Sequence, residues 1–71
     1  MIEIGYTSLN LETSEQEDTI HLRIETGWSD AMVEFETLRE SKRGDSTIVH
    51  FFVQHLSTDN EWIRDTHGDP L

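Results

Sequence analysis

The side chains of this chain that could do chemistry are four histidines and fifteen carboxylates, spread over 71 residues with no cysteine. A zinc or iron site needs three or four donors converging on one point. His50 and His55 are five apart, which places them on opposite faces of a strand. They cannot share an ion without help from elsewhere. His21 and His67 have no partner fixed by spacing. Asp65, His67 and Asp69 alternate, but a chain end is a poor place to hold ligands rigid. Nucleophilic catalysis has no better footing. No serine sits in a Gly-x-Ser-x-Gly elbow, and no glycine-rich run could cradle a phosphate. A chain of this length also has little room for a pocket of about 300 Å³ or more. The residues therefore carry no catalytic, metal or cofactor motif, and the expectation is a protein that is not an enzyme and uses no cofactor.

What remains is charge. Fifteen acids against five bases give a net charge of −10. Such a surface repels nucleic acid and anionic lipid, so neither is an expected direct partner. The acids fall into three groups. Glu12, Glu15, Glu17 and Asp18 lie in one polar stretch that reads as a loop. Glu34, Glu36 and Glu40 lie on the outer side of a helix. Asp59, Glu61, Asp65 and Asp69 lie toward the C-terminus. Three of the five bases, Arg39, Lys42 and Arg43, are gathered within one stretch of helix, which leaves most of the surface negative. Carboxylates on a strand, or three to four apart on a helix, stand on the order of 5–7 Å from each other. Two steps of the phosphate ladder of one DNA strand cover a similar distance, at ~3.4 Å per step. A rigid surface so spaced could occupy a groove built to bind phosphates, through the same charge-assisted hydrogen bonds.

The elements that must position these groups are organised around 46–56, STIVHFFVQHL. Its β-branched and aromatic residues favour a strand. Val49, Phe51 and Val53 fall on one face and Ile48 and Phe52 on the other, so the strand is central and covered on both sides. The chain opens with a strand in which Ile2, Ile4 and Tyr6 alternate with Glu3, Gly5 and Thr7. Leu9 and Leu11 have the opposite parity, and Gly5 could mark a bulge that makes the switch. The polar run 12–18 reads as a hairpin loop. In 19–26, Ile20, Leu22 and Ile24 face in, while His21, Arg23 and Glu25 face out. From Ser29 to Arg43, Ala31, Met32, Phe35 and Leu38 share one helix face. Ser29 suits the N-cap, Trp28 can staple onto Val33, and Gly44 is placed to stop the helix. A turn at 57–60 leads to a short strand over 61–65, and 66–71 reads as a flexible tail. The predicted fold is α+β, a two-layer sandwich in ββαββ order with one helix on a small antiparallel sheet, and the whole chain forms one small acidic domain.

In size and acidity the chain resembles small phage-encoded inhibitors of restriction, CRISPR or DNA-repair machinery, several of which mimic DNA. The likeness covers composition and no particular stretch. It implies a non-enzymatic inhibitor that occupies the basic, nucleic-acid-binding surface of a target protein. The acids expected to make that contact are Glu15, Glu17, Asp18, Glu34, Glu36 and Glu40. A second reading is a small interaction subunit or homodimer, in which Ile48 and Phe52 of the central strand form the interface. A core this small is marginal, and a second copy would help to enclose it. With no apolar run long enough to span a bilayer and no basic-then-apolar start, a cytoplasmic location is expected.

Overall fold

The computed structural model of the chain describes residues 1–70, and of Thr66 and His67 the backbone only. Its elements are β1 (Ile2–Asn10), β2 (Glu15–Ile24), α1 (Trp28–Ser41), β3 (Ile48–Leu56) and β4 (Trp62–Gly68). All neighbouring strands are antiparallel, in the spatial order β2-β1-β3-β4, and α1 packs on β1 and β3. The fold is thus the α+β arrangement that the sequence predicts. No helix among the described residues is long and apolar enough to cross a membrane.

Apolar spacing explains the helix side of the sheet. Ala31, Phe35 and Leu38 recur at helical period and are buried against Ile2, Ile4, Ile24, Ile48, Phe51 and Val53. Each large side chain so enclosed contributes roughly 1.5–3 kcal/mol relative to exposure. The helix begins differently from expectation. Gly27, not Ser29, is the N-cap, with φ 136°, a conformation that side chains seldom adopt. Its carbonyl accepts the amide of Ala31 at 3.1 Å. Trp28 is not stapled to Val33, which is exposed; its ring meets that of His55 edge-on, centroids 5.5 Å apart. Gly44, at φ 85°, ends the turn after the helix.

Three irregularities in register decide which side chains face which way. Ile4 pairs with Leu22 but Gly5 pairs with Ile20, so His21 is an extra residue in β2. Thr7 pairs with His50 but Ser8 pairs with Ile48, so Val49 is extra in β3. Val53 pairs with Thr66 but Gln54 pairs with Arg64, so Asp65 is extra in β4. An extra residue reverses the alternation of faces beyond it. Three corrections follow. Ile20 lies on the opposite face from Leu22 and Ile24, and both Ile20 and Leu22 are exposed. Ile48 joins Phe51 and Val53 on the helix side, apart from Phe52. Val49, expected to share the buried face of Phe51 and Val53, is exposed.

Two boundaries also differ. The hairpin loop is confined to residues 11–14, and Glu15, Glu17 and Asp18 belong to strand β2 rather than to a loop. At the other end, β4 runs to Gly68, so the first half of the expected tail, 66–68, is paired with β3. The Arg39 guanidinium donates to the Asp69 carbonyl at 2.9 Å and fastens the chain beyond β4 to the helix. Leu71 lies outside the described residues.

Candidate binding surface

The sheet face away from the helix is held by polar groups. Glu3 is 3% exposed, yet its carboxylate is satisfied on both oxygens. Arg23 Nε donates to one at 2.6 Å, and Gln54 Nε2 donates to the other at 3.0 Å. Arg64 Nη2 donates to Gln54 Oε1 at 3.1 Å and to Asp18 Oδ2 at 2.9 Å. The Thr7 hydroxyl donates to Asp18 Oδ1 at 2.5 Å, and His50 Nε2 lies 3.0 Å from the same hydroxyl. The one Thr7 proton is directed at the carboxylate, so the His50 contact requires Nε2–H to donate. Beneath this network lies Phe52, fully buried, with the Arg64 guanidinium above its ring. Gly5 lets the ring and strand β2 approach. A Cβ there would fall inside contact distance of the Thr19 carbonyl oxygen and 2.9 Å from Phe52 Cζ.

The network places Asp18 away from free display. The Thr7 hydroxyl and then the Arg64 guanidinium stabilise its charged form and hold its pKa below the ordinary value. Two helix acids are likewise occupied. Glu36 pairs with Arg39 at 3.2 Å and Glu40 with Arg43 at 3.1 Å, each three residues apart. Of the six acids singled out in the sequence, Glu15, Glu17 and Glu34 stand in no ion pair among the described residues. Glu15 and Glu17 are exposed on β2, and Glu34 is half-buried on α1.

Glu34 lines an open cleft of about 360 Å³ between the end of β2 and the first turns of α1. The small size expected to leave little room for such a space does not preclude an open one. Glu25 and Asp30 share the cleft with Glu34, and Val33 supplies an apolar wall. Glu25 and Asp30 are not among the acids singled out beforehand; Asp30 lies four residues before Glu34 on the same helix, where helical spacing alone makes them neighbours, and tertiary folding adds Glu25. Asp30 also accepts the Thr26 hydroxyl at 2.6 Å.

Ile48 and Phe52, the expected dimer interface, are 6% and 0% exposed within a single chain. Neither can meet a second copy without opening the fold. The large apolar side chains left outside include Trp28, Trp62 and Ile63. Among the described residues, no three His, Asp or Glu side chains converge as a metal site would require. His50 pairs with Thr7 on the polar face and His55 with Ile2 on the helix side, so the two stand on opposite faces. His55 Nδ1 faces the Asp65 carboxylate.

Comparison with protein-family models, with curated proteins and with solved structures finds no match for this chain.

Proposed function

We propose that the protein is a non-enzymatic acidic binding protein that occupies the basic, nucleic-acid-binding surface of a target protein, in the manner of a DNA-mimicking inhibitor. The observation that carries this reading is the flank formed by β2 and the adjoining side of α1. Glu15 and Glu17 stand exposed at one end of β2, and Glu25, Asp30 and Glu34 line the cleft at its other end. Glu15 and Glu17 are two residues apart on a strand, which spaces them by roughly 6.6 Å. That spacing suits Lys and Arg side chains arranged to grip successive phosphates. The sheet beneath is rigid enough to hold the charges without the ordering cost that a loop would impose. The acidic array is narrower than composition suggests, because Asp18, Glu36 and Glu40 are paired with arginines of the same chain.

The test is competition. The protein, immobilised, is expected to retain a basic nucleic-acid-binding protein from a bacterial lysate at low salt and release it at high salt. Duplex DNA should displace the retained protein, and reversal of Glu15, Glu17 and Glu34 to Lys should abolish its capture. Retention that ignores both salt and DNA removes the proposal.

A further inference from the structure

We infer that the free edge of β2 takes up an extended cationic segment of the partner as a fifth strand, with a Lys or Arg of that segment reaching the cleft beside α1. This rests on the reading above and adds the mode of contact. β2 is an edge strand and, at 10 residues, the longest element of the sheet. Its residues 15–23 are all exposed. Among the described residues, no backbone hydrogen bond outside the sheet involves residues 16–26. An edge with unpaired amides and carbonyls is a template for another strand. The opposite edge, β4, is shorter at 7 residues.

Charge decides which strand can come. A second copy pairing β2 against β2 would bring together two chains of net charge −10 each. Glu15, Glu17 and Glu25 of each copy would confront a single Arg23, and like charges across a strand pair destabilise it. A cationic segment meets the reverse situation at every one of those positions. The bulge at His21 sends Ile20 and Leu22 to opposite faces, both partly exposed. A segment alternating basic and apolar residues therefore finds an apolar neighbour on either face. At the Ile24 end, the edge leads into the cleft, where Val33 can cover an aliphatic stem and the carboxylates of Glu25, Asp30 and Glu34 outnumber the one lining cation, Arg23, which is itself paired with Glu3.

The probe is a short peptide of alternating lysine and valine, compared with two versions N-methylated at alternate backbone nitrogens, one for each peptide edge. Binding at low salt is followed by amide hydrogen exchange and NMR titration. The unmodified peptide is expected to slow exchange at outward-facing amides of residues 15–24. Methylation of the pairing edge should weaken binding by about tenfold or more, while methylation of the other edge changes it little. If both methylated peptides bind like the unmodified one, the edge pairing is wrong while the acidic-surface reading stands. If even the unmodified peptide fails to bind, both are wrong. If the chain alone dimerises with the same amides protected, a second copy is the occupant and the inference is overturned.

Discussion

The guanidinium of Arg64 lies 3.7 Å from the centroid of the Phe52 ring. It roofs an aromatic side chain that would otherwise face water from the centre of the sheet. The same group hydrogen-bonds to Asp18 and Gln54, so one residue of β4 reaches across β3 and β1 to an acid of β2. Removing it should uncover the ring and release both acceptors. Arg64→Ala is expected to lower stability by about 1–2 kcal/mol. Arg64→Lys should recover only part of this, since an ammonium cannot reproduce the planar contact. Urea denaturation reads both, and an unchanged midpoint for Arg64→Ala would show that the roof contributes nothing.

Asp18 gives the fold a component that depends on pH. Its folded-state pKa is lowered, first by the Thr7 hydroxyl and then by Arg64. A depressed carboxyl pKa stabilises the folded state above the unfolded value and ceases to do so as pH falls through the folded value. The unfolded value is near the ordinary 3.8. Wild type should therefore exceed Asp18→Asn in stability at neutral pH, and the gap should close below about pH 4. Asp45, held down by Thr47, contributes in the same window, which is why the comparison uses the difference between the two proteins. Melting curves at pH 7, 5 and 3 supply it; a gap independent of pH contradicts the assignment.

Gly5 has no room for a side chain. Gly5→Ala must push β2 away at Thr19 or displace Phe52, at a cost of about 2–3 kcal/mol or more. In a domain with a small core, that approaches the whole margin of stability. Circular dichroism on heating gives the answer. A variant that melts like wild type would mean that the two strands can separate there freely.

Glu36 and Glu40 should be nearly silent. Both acids are exposed and lie three residues from their arginines on a helix, where such bridges are worth about 0.5 kcal/mol or less. Glu36→Gln and Glu40→Gln are expected to leave stability within that range. They should also weaken binding to a lysine-rich peptide less than Glu34→Gln does. Equal losses at all three positions would show that net charge, not placement, governs attraction.

The order of elements could be read from the sequence because period and end signals agreed. Ala31, Phe35 and Leu38 kept helical spacing up to Gly44, and β-branched residues marked β3. What could not be read were the bulges. Each is a single extra residue in the pairing, visible only when two strands are laid side by side, and each sends later side chains to the other face. The first half of β2 was missed for a different reason. Residues 15–18 of this edge strand bury no side chain, so they show the polar composition of a loop. The polar network was missed because Glu3, Gly5 and Thr7 looked like a solvent-facing alternation. A large ring opposite Gly5 was the available clue that this face needed a cover.

The two sides of the sheet are fastened by different forces: apolar burial under α1, and on the other side a chain of hydrogen bonds that links Arg23, Glu3, Gln54, Arg64, Asp18 and Thr7. Salts should act on them differently. Sodium chloride and sulfate both loosen charge-based fastening by screening, and sulfate in addition tightens apolar burial by exclusion from the surface. The side under α1 can thus be firmed by choice of anion, while the ionic side softens with either.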